Sequence, residues 1–330
     1  MRTRRPLIIV LLALLLSAGS ISVAMASPEG PPVATSAELA TVIQRAVSTN
    51  TLTSTVRAQV LAIDVRNPLK SSGLPLALQQ HCFSSVDRKT LKNPKPCIFG
   101  NPHSPITVVL FGSSAVDDWT PALKIAATRM NIRVATFQYE GCYTPFVTGL
   151  GHDCTTFHQN LPRAISALHP TVVMAVATAD ATGESGDAQY VNGMQRAFEA
   201  IGQLSPNARR VLWGTSPRMK SPVPSCLIMR PRAISSCGLT YSVSSTAPHS
   251  YGQVLRRDVT TAQRSNATLV PVSSWFCTPT VCPAVINDWV VYVDFLHVSA
   301  TYSRYLATMV TAQLRALVTP VTTTTSTTLR

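Results

Sequence analysis

Two rhythms alternate along the middle of the chain. Short continuous apolar runs rich in β-branched residues cover 106–111, 132–137, 171–176, 210–213 and 268–272, and predict five strands. Between them, apolar positions at helical spacing predict helices around 119–130, 160–168, 187–204 and 251–264. A further helix is expected over 36–63, with Ser36 as cap, Glu38 in the first turn, and Leu39, Val42, Ile43 and Val47 on one face. A last one is expected over 299–318, capped by Ser299, while residues 66–105 read as loop. Continuously apolar strands alternating with helices imply a parallel sheet covered on both faces. Ligands bind such sheets beyond the carboxyl ends of the strands.

The two ends break the rhythm. Arg2, Arg4 and Arg5 precede an unbroken apolar run of 10 residues, 7–16, and Ala24-Met25-Ala26 forms a small-x-small site. This is the pattern of a secretory signal peptide over 1–26, too short in its apolar core for a membrane span of about 20 residues. A Pro/Gly-containing linker follows over 27–36, then one domain over 37–318 that includes the N-terminal helix. The Thr-rich residues 319–330 read as a solvated tail.

Export changes the reading of the eight cysteines, Cys82, Cys97, Cys142, Cys154, Cys226, Cys237, Cys277 and Cys282. An even number in an oxidising compartment favours disulfides, and the spacing groups sequential neighbours: 82 with 97, 142 with 154, 226 with 237, 277 with 282. Zinc is the weaker alternative, since no CxxC occurs and only His81, His152 and His158 lie near a cysteine. The formal charge of +13 falls by three, to +10, without the leader. Outside a cell it suits an anionic wall or membrane surface. With 6% aromatic residues and no recognisable motif, nucleic-acid binding has no support.

Candidate chemistry sits at two places. Gly112-Ser113-Ser114 occupies the turn after the first predicted strand, where a serine can sit at a helix N-terminus beside backbone N–H groups able to hold an oxyanion. Asp294-Phe-Leu-His297 precedes the last helix. An aspartate three residues before a histidine can fix its tautomer, and the imidazole can then take a serine proton.

With these residues the chain resembles the SGNH (GDSL-like) hydrolases, and more narrowly the SGNH domain associated with acyltransferase-3 membrane proteins, which O-acylate cell-envelope glycans. The resemblance spans most of 40–318. It rests on Gly112-Ser113-Ser114-Ala115-Val116-Asp117-Asp118-Trp119, on Gly141-Cys142, on Pro217 with Pro224-Ser225-Cys226, and on Cys277 to Cys282-Pro283 followed by Tyr292-Val-Asp294-Phe-Leu-His297. It implies a three-layer α/β/α sandwich around a five-stranded parallel sheet, with no cofactor or metal. It assigns Ser114 as nucleophile, His297 as base and Asp294 as its orienting partner, with the amides of Ser114 and Gly141 in the oxyanion hole. The family's Asp and His flanking the nucleophile are here Ser113 and Ala115. The Asn of its third block is missing from Ala177-Thr178-Ala179-Asp180, which leaves Thr178 as a substitute donor.

The resemblance implies a secreted esterase or O-acyltransferase acting on acyl esters, acetyl foremost, of a cell-envelope glycan through an acyl-enzyme on Ser114. These 330 residues contain no membrane acyltransferase domain, so a separate membrane partner is one expected source of acyl groups. The competing reading is a catalytically degenerate module that binds envelope glycan or that partner. Among single residues, Trp119 is expected in the core. Asp117 and Asp118 are expected as exposed first-turn charges. The surroundings of Cys154, with His152, Asp153 and His158, are expected as a solvated loop.

Overall fold

A computed structural model of the chain describes residues 35–64, 66–71, 90–178, 186–245, 247 and 250–319. The expected leader, linker start and tail, and Cys82, lie outside these residues. The central sheet contains β1 (Cys97–Gly100), β2 (Thr107–Gly112), β3 (Arg133–Gln138), β4 (Val172–Val176), β5 (Arg209–Trp213) and, after the two-residue β6 (Leu239–Thr240), β7 (Thr268–Val270). Their order across the sheet is β1-β3-β2-β4-β5-β7. All neighbours are parallel except β1, which runs antiparallel to β3 with Cys97 opposite Thr136. The five parallel strands are those the hydrophobic runs predict. The sixth lies in the stretch read as loop, because a four-residue edge strand offers too little alternation to register.

Along the chain stand α1 (Ser36–Ser48), α2 (Ser54–Ala62), α3 (Ala115–Met130), α4 (His152–Ser166), α5 (Gly186–Leu204), α6 (Val223–Met229), α7 (Tyr251–Arg264), α8 (Ala300–Tyr305) and α9 (Ala307–Val318). The predicted first helix is two. Thr35, not Ser36, caps α1 by accepting from the Glu38 amide, and Thr53 restarts the chain as α2 by accepting from Val56. The last helix also divides, at Leu306, after Ser299 has capped α8 through the Tyr302 amide. α4 begins eight residues before its predicted start.

The sheet separates two cores. One face joins α1, α2, α3, α8 and α9 in an apolar cluster centred on Trp119, Trp213, Trp275 and Phe276. Trp119 lies edge-on to the other three at 5.3–6.0 Å, and its replacement by Ala would cost about 3–5 kcal/mol. The other face packs Phe111, Phe137, Phe157, Tyr190 and Phe198 beneath α4 and α5.

Bridges join Cys142 to Cys154, Cys226 to Cys237 and Cys277 to Cys282. Cys97 is also disulfide-bonded. Each of the first three staples a short loop, which stabilises by roughly 2–3 kcal/mol through the unfolded chain. The last of them ties down the segment of β8 (Val281–Cys282), which leads into the hairpin β9 (Val285–Ile286) and β10 (Trp289–Val290).

Two expectations about polar residues are overturned. Asp117 and Asp118 are 0% and 2% exposed, because α3 enters the molecule nose-first and its first turn lies under the loop that carries His297. Residues 152–158 are helical; His152 is exposed, as expected, but His158 is buried against Phe146 at 4.4 Å on the face that the Cys142–Cys154 bridge holds inward.

Candidate active site

β2 delivers the nucleophile candidate. Its last residue, Gly112, leaves little room for a side chain: a Cβ would stand 3.0 Å from the Thr144 hydroxyl and 3.4 Å from Val116. The chain turns at Ser113 and starts α3, with Ser114 at the N-cap position. Ser114 makes no capping bond with its own side chain. Its Oγ instead lies 2.8 Å from His297 Nε2. Ser113 Oγ accepts from the Ala115 amide at 3.4 Å, a local turn role.

One carboxylate builds the turn that presents His297. Asp294 Oδ1 accepts from the amides of Leu296 (2.6 Å) and His297 (2.7 Å), an Asx-type turn. Its Oδ2 lies 2.7 Å from His297 Nδ1. The turn is clamped from outside by the Met219 amide on the Phe295 carbonyl (2.7 Å) and the Val223 amide on the Asp294 carbonyl (3.0 Å). Arg218 lies over the Phe295 ring at 4.8 Å. The three groups thus form a continuous line, hydroxyl to imidazole to carboxylate, across 183 residues of sequence.

Burial disfavours a charged imidazole, but the Asp294 hydrogen bond and the charges of Asp118, Asp294 and Asp117 outweigh it, and His297 is pushed up to about 9. Burial would raise Asp294, yet its bonds to His297 and to the turn amides hold it below the usual carboxylate range. Beneath them, burial pushes Asp117 up to about 7 and Asp118 well above its ordinary value, against the pull of His297 and of the bonds from Gln138 and Val298 respectively.

A cavity of about 250 Å³ opens beside Ser114, lined also by Ser113, Ala115, Asp118, Gly141, Cys142, Tyr143, Ala177, Thr178, Ser216 and Leu296. Gly141 has φ +71°, a conformation that favours glycine. Ser114 and Gly141 line the cavity, and their amides have no partner among the described residues. Thr178 follows β4 and is nearly buried. Ala179 and Asp180 lie outside the described residues. The grouping of metal-ligand types found among the described residues, Cys142, Cys154 and His158, has its sulfurs bonded to each other. Burial pushes His158 down to about 4.

Sequence reasoning missed the residues that hold these loops. Asp118 Oδ1 accepts from the Val298 amide at 2.8 Å. It stands one helical turn after Ser114, a spacing that could have flagged it. Arg257 donates to the Thr178 carbonyl at 2.7 Å and lies 3.8 Å over the Tyr190 ring. Asp258 accepts from the Thr215 amide (2.8 Å) and hydroxyl (3.1 Å).

A family model described as an SGNH domain (fused to AT3 domains) matches residues 81–312, more than half of the chain. No curated protein matches the sequence. Among solved structures, the chain is similar to the periplasmic domain of a lipopolysaccharide acetyltransferase from Salmonella ser. Paratyphi A, at 13% identity and TM-score 0.54, covering 79% of this chain and 97% of that one. It is also similar to a putative GDSL-like lipase from Parabacteroides merdae (12% identity, TM-score 0.41, 66% and 98% covered). A carbohydrate esterase family 2 enzyme with a carbohydrate-binding domain, from Corynascus thermopiles, matches at 12% identity and TM-score 0.40, over 64% of this chain and 66% of that one. With the strand order, the serine turn and the late Asp-x-x-His in place, the chain belongs to the SGNH domain family described as fused to AT3 domains.

Proposed function

We propose that the protein is an SGNH-type serine ester hydrolase or O-acyltransferase acting on acyl esters of cell-envelope glycans. The observation that carries this reading is the unbroken line from Ser114 Oγ through His297 to Asp294, at 2.8 and 2.7 Å. Ser114 Oγ attacks the ester carbonyl while His297 takes its proton. Asp294 stabilises the imidazolium, and the Ser114 and Gly141 amides receive the oxyanion, with Thr178 as a further donor. The tetrahedral adduct collapses to an acyl-enzyme as the alcohol leaves with the proton from His297. Water then releases the acid, or a sugar hydroxyl takes the acyl group.

The disulfides support work outside the cytoplasm. The signal-peptide pattern of residues 1–26 supports secretion. The family's association with AT3 domains supports a separate membrane acyltransferase as partner. The periplasmic lipopolysaccharide acetyltransferase domain supplies a precedent of similar fold for a glycan acceptor.

The test is hydrolysis of 4-nitrophenyl acetate by the oxidised protein beside Ser114→Ala, Ser113→Ala and His297→Ala. Activity lost with Ser114→Ala and His297→Ala but kept in Ser113→Ala is the expected result. A folded wild type with background turnover and no labelling by a serine-reactive phosphonate would leave a glycan- or partner-binding module instead.

A further inference from the structure

We infer that Asp118 is a positioning residue for the base: a buried carboxyl on the nucleophile's own helix that fixes the His297 loop by accepting from the Val298 amide. The inference rests on the hydrolase reading above and deepens it. Asp118 is 2% exposed, yet it borders the cavity that contains Ser114. Its bond to Val298 spans 180 residues and is the direct tie between α3 and the strand-like segment that follows the base. Val298 pairs with Tyr292, and the Val293 amide donates to the His297 carbonyl, so the amide seized by Asp118 belongs to the base's own loop. A shift of α3 that moved Ser114 would therefore carry the His297 loop with it.

An aliphatic residue would be the ordinary choice on the inward face of a helix, and a buried carboxyl is expensive unless it has a job. Asp294 bonds the imidazole from its own turn, and the charges of Asp118 and Asp117 act on it from α3. The charge of Glu140 acts in turn on Asp117, and that of Asp118 on the buried Tyr292. Either protonation state of Asp118 leaves an oxygen that can accept from Val298, so the tie survives titration.

The oxidised protein and the variants Asp118→Ala and Asp118→Asn are compared in kinetics on 4-nitrophenyl acetate and in amide hydrogen exchange. Asp118→Ala is expected to lower kcat by about 10²-fold, the penalty for misplacing a catalytic group by about 1 Å, with KM within about twofold. Exchange of the Val298 amide should accelerate while the amides of β2 stay protected. Asp118→Asn keeps the acceptor oxygen and should restore both readouts. If Asp118→Ala does not fold, Asp118→Val, which fills the space without an acceptor, replaces it. Unchanged kcat or unchanged Val298 exchange in the acceptor-less variant, or an equal loss in Asp118→Asn, would overturn the inference while the wild-type activity stood. A wild type that neither hydrolyses the ester nor takes up phosphonate would overturn the hydrolase reading, and this inference with it.

Discussion

The two sides of the cavity are built from different materials. On the base side, the group on display is a side chain, held by a turn that is itself tied by hydrogen bonds. Asp294 makes three bonds within four residues, the segment after β5 clamps that turn through two amides, and Asp118 holds it from below. On the side proposed to hold the oxyanion, the groups are backbone amides. Gly141 takes a positive φ beside the Cys142–Cys154 bridge, and Arg257 on α7 separately holds the Thr178 carbonyl. A proton transfer demands a defined heavy-atom distance and the correct tautomer. An oxyanion needs donors at hydrogen-bond distance and in fixed direction, which backbone turns can provide.

Substitutions can break this contrast at graded strength. Ser114→Ala and His297→Ala should each remove about 10³-fold or more of the esterase rate, measured as kcat. Asp294→Asn should follow, with a loss of about 10²–10⁴-fold, since an amide cannot hold the imidazole as a carboxylate does. The pH profile separates this loss from mere misfolding. In the wild type kcat/KM should climb about tenfold per pH unit and level off near 9, because His297 must be neutral to act as a base. In Asp294→Asn the hydrogen bond that raises His297 is weakened, so the same limb should move to lower pH on a lower plateau. Gly141→Ala tests the other side. Its Cβ would meet nothing within 4 Å, so steric clash is absent and the effect comes from the left-handed backbone alone. About 1–2 kcal/mol of strain should appear in the melting temperature, and kcat should fall by up to about 10²-fold as the amide re-aims. Thr178→Val should have the smallest effect, within about tenfold in kcat, if its hydroxyl is one donor beside two amides.

The same contrast explains what was legible. The base side is compact in sequence: Asp-x-x-His is a turn, and its chemistry can be read without a fold. The five parallel strands were equally open, because residues such as Val108–Leu110 and Val172–Met174 are apolar without interruption. Asp117 and Asp118 misled the reading because two adjacent acids in a first turn suit a solvated helix end. Only the tertiary crossing of α3 beneath the His297 loop puts them inside. Arg257 was out of reach for a different reason. Its partner is a carbonyl, 79 residues away, and carbonyls leave no trace in residue types.

The protons held under the site also set a direction for the whole fold. Asp117 keeps its proton up to about pH 7 when folded, against 3.8 for its ordinary value. The folded protein therefore binds more protons than the unfolded chain across that window, and stability declines as pH rises through it. His297, raised from 6.5 to about 9, contributes a stabilisation that is complete below 6.5 and fades as pH rises through 9. Asp294 acts in the opposite sense, its contribution fading as pH falls below 3.8. Melting temperature should thus peak in mild acid and slide towards alkali, and Asp117→Asn should flatten the part of that slide between pH 4 and 7. The conditions that free the imidazole for chemistry are those that loosen the protein around it, so its best rate and its longest life belong to different waters.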